Sequence, residues 1–252
     1  MKSKIVDRFD FRIQPIGISF SDKKPDDAIE FPPDKRVCVV SMLLAASKGK
    51  TVAVSDETCA CPGGAVGICR GDAFTRRNHK TAELLSTGIE CDDPNELPKH
   101  VQYGERFFKS PEVVQRWKDA LPYADAQTEY AVFRPLADFS DDEPPAIALL
   151  FANPDQLSAL VIMSGYSRGS GLNVSAPFAA ACQSILFAYD EIGSDEPKAI
   201  LGGFDISQRH RLPKELLTLT MPFQLYREIE EGIDEGCITT EAWKRIEDRW
   251  SD

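Results

Sequence analysis

The chain has 252 residues, a formal net charge of −11 and a hydrophobic content of 42%. This length suits one large domain or two small ones, and such a domain buries enough apolar surface to fold without disulfides. Nucleic-acid partners are disfavoured, because the net negative charge repels a phosphate backbone. The longest apolar run, near residues 146–152, is far shorter than the roughly 20 residues that cross a bilayer. With no stretch that resembles a signal peptide, these features predict a cytoplasmic protein without a membrane partner.

Hydrophobic periodicity and turn residues predict a mixed set of helices and strands. In chain order they are a strand at 14–20, a helix at 35–47 that ends at Gly49, a strand at 51–55, a loop at 59–64, a mostly helical segment at 70–123 with a helix start at Ser110-Pro111, strands at 130–135 and 146–151, a helix that opens at Asn153-Pro154, a Gly/Ser loop at 165–175, an apolar helix at 176–192, strands at 199–204 and 216–221, and two amphipathic helices at 223–236 and 239–250. The predicted fold class is therefore α+β, with a helical C-terminal tail.

The two halves of the chain repeat one order of features. Each half, at about 13–70 and 129–222, gives a strand, a helix with a cysteine, a second strand and a Gly-Gly pair. A helical linker at 71–128 joins them, and helices at 223–250 follow. We predict a single compact unit over 1–252, in which the halves are related by a pseudo-twofold axis with a cleft between them. Cys38 and Cys182 are expected to lie near that axis, together with Cys61.

Seven cysteines occur in the chain: Cys38, Cys59, Cys61, Cys69, Cys91, Cys182 and Cys237. Disulfides are a poor explanation for them, because the number is odd and the expected compartment is reducing. Three explanations remain, namely small buried hydrophobic residues, ligands of a metal or cluster, and a reactive thiol.

A set of short motifs is similar to one known family. The motifs are Cys38 on a predicted helix, the run Cys61-Pro62-Gly63-Gly64, the helix start Asn153-Pro154, and Cys182 followed by Gly202-Gly203. The chain resembles the domain of unknown function 169 family from about Ile13 to Pro222. The resemblance implies a fold and a cysteine pattern but no activity, in a family found largely in archaea and anaerobic bacteria. The other four cysteines match no position of that pattern.

Three cysteines, Cys38, Cys61 and Cys182, are candidate ligands of an iron–sulfur cluster, since thiolates bind iron and other soft metals. Three cysteines leave one iron open to a small molecule or to electron exchange with a redox partner, and an anaerobic family suits an oxygen-sensitive cofactor. The glycine pairs Gly63-Gly64 and Gly202-Gly203 are predicted to bring backbone N–H groups close to the same ligand. The competing interpretation is that these thiols are inert core residues.

Further hypotheses use the same region differently. The spacing Cys59-x-Cys61-x7-Cys69 is tight for a zinc half-site. Cys61 could be a nucleophile, with His79, His100 or His210 as its base. The chain could instead be a non-enzymatic protein that holds a small anion in the cleft.

Other signals are weaker. The glycine pairs could simply form tight turns. The loop at 168–171 could cover a site as a lid. Glu105 could act as an acid or base, and Arg209 could bind a carboxylate or phosphate.

Overall fold

The computed structural model describes residues 1–29, 31–32, 37–77, 80–93, 95–178 and 181–251. Its centre is a seven-stranded mixed sheet with the order β2-β3-β1-β4-β7-β6-β5. The strands are β1 Ile16–Ser21, β2 Val52–Val54, β3 Tyr130–Pro135, β4 Ile147–Ala152, β5 Val174–Ser175, β6 Ala199–Gly202 and β7 Leu217–Pro222. Neighbouring strands are antiparallel except for β5 and β6, which are parallel.

Helices and helical turns cover both faces of this sheet. They are α1 Lys4–Arg8, α2 Val39–Ala46, α3 Pro62–Gly67, α4 Ala73–Arg76, α5 Thr81–Leu84, α6 Lys99–Tyr103, α7 Pro111–Asp119, α8 Pro154–Met163, α9 Gln183–Asp190, α10 Ile206–Arg209, α11 Phe223–Gly232 and α12 Glu241–Glu247, with short 3-10 turns at Leu136–Asp138, Cys237–Thr239 and Asp248–Ser251. The predicted α+β class and the helical C-terminal tail are confirmed.

Strand alternation separates two hydrophobic cores, one on each face of the sheet. The first face contributes residues such as Ile18, Phe133 and Phe151, which pack against α2, α3 and α9. The second face contributes residues such as Leu150 and Leu219, which pack against α1, α8, α11 and α12. The cysteines singled out in the sequence, Cys38 and Cys182, belong to the first face.

Most predicted elements exist, but three predictions in the cysteine regions differ from the structure. Residues 62–64, predicted to belong to the loop at 59–64, form the first half of the short helix α3. The apolar helix expected from 176 begins only at Gln183, and two of its predicted positions, 179 and 180, lie outside the described residues. The predicted helix at 35–47 starts at Val39, and positions 35 and 36 also lie outside.

The pseudo-twofold relation between the halves is not established by the sheet. β1 and β4 pair at its centre, flanked by β3 on one side and β7 on the other. β3 belongs to the second predicted half but pairs with β1 and β2 of the first, so the strand order does not keep the two halves on separate sides. The internal duplication stays a prediction.

The Gly/Ser loop considered above as a lid is tied to the second face. Arg168 donates hydrogen bonds from Nε to Glu228 at 2.9 Å and from Nη1 to the carbonyl of Pro197 at 2.6 Å. Its side chain is 9% exposed, so this is a largely buried ion pair. Such a pair is costly to break, since removal of one partner leaves a buried charge alone. The part of the loop around Arg168 is therefore anchored.

The C-terminal helix packs through two tryptophans, Trp243 and Trp250, whose ring centroids are 5.6 Å apart in an edge-on arrangement. Within the described residues, no helix combines the length and apolar character needed to cross a membrane.

Candidate functional site

Three cysteines occupy the N-cap positions of three different helices on the first face. Cys38 precedes α2, Cys61 precedes α3 and Cys182 precedes α9. Cys38 and Cys182 were predicted to lie within helices, and that prediction is wrong by one position for both. An N-cap side chain lies beside the backbone N–H groups that have no partner within the helix, so these cysteines lie next to hydrogen-bond donors.

Glycines allow α3 to approach the starts of the other two helices. A Cβ on Gly64 would lie 3.0 Å from the Cys59 sulfur and 3.1 Å from Val39 at the start of α2. A Cβ on Gly67 would lie 2.9 Å from the backbone carbonyl carbon of Cys182. Neither Gly63 nor Gly64 has a positive φ, so the tight-turn interpretation of this pair is wrong. These glycines are explained instead by close helix packing.

Two weak hydrogen bonds link the cysteines around one peptide group. The Cys182 thiol donates to the carbonyl oxygen of Gly63 at 3.6 Å, and the N–H of Gly64 donates to the Cys61 sulfur at 3.4 Å. Because both contacts end on the Gly63–Gly64 peptide, the two sulfurs lie within roughly 9 Å of each other. We call Cys38, Cys61 and Cys182 the N-cap thiol cluster.

The ionisation of Cys38 and of Cys182 is affected by neighbouring cysteines. Burial raises the pKa of Cys38, and the Cys61 thiol raises it further, while the facing N–H of Val40 lowers it although no capping hydrogen bond forms. Burial also raises the pKa of Cys182 well above its ordinary value, with further contributions from Cys38 and Cys61. In the metal-free protein, Cys38 and Cys182 are therefore neutral thiols at pH 7, and Cys61 is the exposed member.

The remaining cysteines are placed differently. Cys59 is buried next to the thiol cluster and donates to the carbonyl of Cys61 at 3.6 Å, and burial raises its pKa to about 12. Cys69 is buried beside Arg70, and burial raises its pKa to about 12 as well. Cys237 lies under α8, where its thiol is 3.9 Å from the carbonyl of Ala159. Cys91 lines an open groove near α6.

No group of three or more His, Cys, Asp or Glu side chains within the described residues is arranged to hold a metal ion. This finding supports neither a zinc site at Cys59, Cys61 and Cys69 nor a cluster site at Cys38, Cys61 and Cys182, and the cluster stays a prediction. Three histidines were considered as a base for Cys61. His100 lies on α6, His210 follows α10 directly, and His79 is outside the described residues. The hydrogen bond described for the Cys61 sulfur comes from Gly64, and neither His100 nor His210 bonds to it.

One carboxyl group, Asp205, lies beside the thiol cluster, and a second, Glu105, lies beside Asp205. Asp205 is the N-cap of α10 and accepts hydrogen bonds from the N–H and Oγ of Ser207 at 2.9 and 2.6 Å. Its charge acts on both Cys38 and Cys182. Glu105 faces Asp205 and Ser207, and burial followed by the Asp205 charge raises its pKa. The sequence pattern Asp205-x-Ser207 is a local capping signal, but the contact with residue 105 has no sequence signal.

A small recess opens next to these groups, between α2 and α10. Its lining is mostly apolar, with Asp205 and Arg209 among the polar residues: Val40, Leu43, Phe151, Ala181, Gly203, Asp205, Gln208, Arg209, Leu212 and Thr218. Of the predicted glycine pair 202–203, Gly203 lines the recess with φ +86°, and Gly202 pairs with Thr218 in the sheet. Thr218 was not singled out from the sequence.

Both arginines near the recess are engaged with protein groups. Arg209 donates to the carbonyls of Pro213 and Lys214 at 3.1 and 2.8 Å. Arg211 donates to Gln208 at 2.7 Å and to Ser41 at 3.1 Å. The expected role of Arg209 as an anion ligand is therefore without support from its contacts.

Comparison with known proteins places the chain in a family without giving it an activity. No curated protein and no solved structure matched the chain. A family model for the uncharacterised ArCR proteins matches residues 4–232, which is most of the chain and includes the three N-cap cysteines and both glycine pairs. The chain therefore belongs to the domain of unknown function 169 family, as the resemblance in its cysteine and glycine motifs suggested.

Proposed function

We propose that this protein binds an iron–sulfur cluster through Cys38, Cys61 and Cys182. One observation carries the proposal: three cysteines from the N-caps of three separate helices lie close enough that neighbouring cysteines affect the ionisation of Cys38 and of Cys182. When bound, such a cluster would supply an iron position without a cysteine ligand, which can exchange electrons or bind a small molecule.

At the start of α3, a backbone N–H that has no partner within the helix is available to the sulfur of Cys61. The N–H of Gly64 already donates to the Cys61 sulfur at 3.4 Å. Hydrogen bonds of this kind to ligand sulfurs also tune the potential of a cluster.

Proton release is an expected part of cluster binding. Burial keeps Cys38 and Cys182 neutral in the metal-free protein, whereas a metal binds the thiolate. Each of these thiols must lose its proton as it becomes a ligand. Asp205 is the carboxylate whose charge acts on both thiols and therefore opposes this loss of protons.

The test is the iron and acid-labile sulfide content of protein purified without oxygen, together with a visible spectrum. We expect about four irons per chain and a broad charge-transfer absorbance. Cys38→Ala, Cys61→Ala and Cys182→Ala should each lose most of the iron. Cys237→Ala removes a thiol that lies against α8 on the other face and should keep it. Folded wild-type protein that stays colourless and iron-free after cluster reconstitution would contradict the proposal.

A thiol-dependent reaction at Cys61 is the second candidate, favoured by the exposure of this residue and by the Gly64 N–H at its sulfur. It requires Cys61 in metal-free protein to react with iodoacetamide at pH 7 at least tenfold faster than glutathione. A rate equal to that of glutathione would remove this candidate. The small-anion alternative has no comparable observation in its favour.

A further inference from the structure

The loop before α3 carries two free cysteines, Cys59 and Cys61, that are separated by a single residue. They lie between a turn at 56–58 and the first residue of α3, outside any helix or strand. Cys59 is fully buried, whereas Cys61 is exposed. The loop therefore holds one thiol that an oxidant in solution can reach and a second, protected thiol close to it.

The distance between these two cysteines is limited by their contacts with Gly64. A Cβ on Gly64 would lie 3.0 Å from the Cys59 sulfur and 3.4 Å from the Cβ of Cys61. Since both distances start at one point, the Cys59 sulfur is at most about 6.4 Å from the Cys61 Cβ. Residues two positions apart have Cα atoms roughly 5 to 7 Å apart, which overlaps the range found in disulfides. The backbone separation of the pair therefore permits a disulfide.

The backbone of Cys59 is held in place by an arginine. Arg77 donates to the carbonyl of Cys59 at 2.6 Å and to the Asp56 carboxylate at 2.8 Å, which ties the loop to the end of α4. Burial raises the pKa of Cys59, whereas the charge of Arg77 lowers it and so favours the thiolate, the form that attacks sulfur. Cys59 is therefore the fixed partner, and the exposed Cys61 side chain is the one that moves.

The other thiols near Cys61 are less suitable partners. Cys38 and Cys182 each precede a different helix, α2 and α9, and the Cys182 thiol donates to the carbonyl of Gly63 at 3.6 Å. A disulfide from Cys61 to either residue would link the starts of two packed helices, whereas Cys59 belongs to the same loop as Cys61. The short chain between the two loop cysteines favours their pairing.

We propose that Cys59 and Cys61 form a redox modification site, at which hydrogen peroxide converts the two thiols to a disulfide. The Cys61 thiolate attacks one peroxide oxygen and the O–O bond breaks, which gives a sulfenic acid on Cys61. The hydroxide that leaves becomes water with the proton that Cys61 has lost. The Cys59 sulfur then attacks the Cys61 sulfur, the S–O bond breaks, and the second hydroxide leaves as water with the Cys59 proton. The two thiols lose two electrons, and one peroxide gains them.

The disulfide does not depend on the proposed cluster. Its formation would withdraw Cys61 from metal binding, and only this consequence rests on the proposed function. Full-length, metal-free protein is therefore treated with one equivalent of hydrogen peroxide and denatured, its remaining thiols are blocked with iodoacetamide, and it is digested with trypsin. Cleavage after Lys50 and Arg70 gives the peptide 51–70, which contains Cys59, Cys61 and Cys69.

We expect this peptide to carry a single blocking group, on Cys69, with the other two sulfurs joined. Treatment with dithiothreitol before blocking should restore three blocking groups. In Cys59→Ala the sulfenic acid of Cys61 has lost its partner, so labelling of Cys61 by dimedone should rise about tenfold over the wild type. Cys69→Ala removes an equally buried thiol from the same peptide and should leave dimedone labelling within twofold of the wild type.

Three outcomes would overturn the modification site. They are three blocking groups on the peptide 51–70 after peroxide treatment, a disulfide from Cys61 to Cys38 or Cys182, and equal dimedone labelling in Cys59→Ala and the wild type. Because the protein is metal-free, failure of the cluster to assemble leaves this result unaffected. Failure of the disulfide to form would likewise leave the iron measurement unaffected, since Cys59 is not among the proposed ligands.

Discussion

Helix α8 on the second face of the sheet begins differently from helices α2 and α9 on the first face. On the second face, α8 starts with a complete capping box, in which Asn153 accepts from the N–H of Gln156 and the Gln156 side chain accepts from the N–H of Asn153. On the first face, α2 and α9 start at Cys38 and Cys182, and neither side chain makes a capping hydrogen bond. A good N-cap is worth about 1 kcal/mol of the free energy of unfolding. The first face therefore gives up local stability where it places its thiols, a pattern expected at functional sites.

The largest loss of stability is expected from a substitution where α3 packs against the start of α9. Gly67→Ala would place a Cβ 2.9 to 3.0 Å from the backbone carbonyl of Cys182, which cannot rotate away as a side chain could. We expect a loss of about 2 kcal/mol in the free energy of unfolding, measured by urea denaturation, with faster alkylation of Cys182.

Gly171→Ala is the matched control, since no heavy atom lies within 4 Å of a Cβ there and its φ is not positive. It should stay within about 0.5 kcal/mol of the wild type. If Gly67→Ala proved as stable as this control, the close contact between α3 and α9 would be wrong.

The next largest effect is a pH dependence of stability that comes from the buried thiol of Cys59. Burial raises its pKa to about 12 in the folded protein, whereas a thiol in an unfolded chain ionises near pH 8.5. Between these values the unfolded chain has lost a proton that the folded protein keeps. The free energy of unfolding should therefore fall with rising pH above about 9, by about 1.4 kcal/mol per pH unit for this thiol. Below pH 8 the contribution is complete and constant.

Urea denaturation at pH 8, 9 and 10 can isolate that contribution. The slope of the wild type should exceed the slope of Cys59→Ala, because lysines and tyrosines titrate alike in both proteins. Parallel pH curves would show that the Cys59 thiol is not buried as described.

The smallest expected change in stability comes from substitutions at the N-caps of α2 and α8, which test the difference between these two caps directly. Cys38 has the extended backbone of a normal N-cap, with φ −71° and ψ 139°. Cys38→Ser should therefore stabilise the protein by about 0.5 kcal/mol while abolishing iron binding, whereas Asn153→Ala should cost about 1 kcal/mol and leave iron binding intact. Urea denaturation and iron content are measured on both variants. If Cys38 is less stabilising than a normal N-cap but is needed for thiol chemistry, Cys38→Ser gains stability and loses iron, whereas Asn153→Ala loses stability and keeps iron. Destabilisation by Cys38→Ser would remove that argument.

Local signals explain which elements could be predicted from the sequence. β3 was predicted residue for residue at 130–135, since its apolar run is bounded by polar residues and a proline. The start of α8 followed from Asn153-Pro154. α3 was missed because Pro-Gly-Gly has low helix propensity, which packing against α2 and α9 overrides.

Long-range contacts explain what could not be predicted. The apolar run before Cys182 does not form helix from 176, and Phe178 within it packs 5.2 Å from Trp117 and 4.3 Å from Phe108. The role of Gly67 depends on Cys182, which is far away in the chain. The three cysteines were selected from the sequence, but their places as N-caps emerged only from the structure.

The shortness of the two outer strands has a consequence for the behaviour of the protein in concentrated solution. β2 has three residues and β5 has two, and the outer side of β2 is already bridged by Ile29. An exposed sheet edge is a template on which a second chain can add a strand, and long flat edges promote aggregation. Here the long strands β1, β3, β4 and β7 lie inside the sheet, so little unpaired backbone is offered at either end. Exposed thiols, rather than sheet edges, are then the sites at which copies of this protein would first become linked in air.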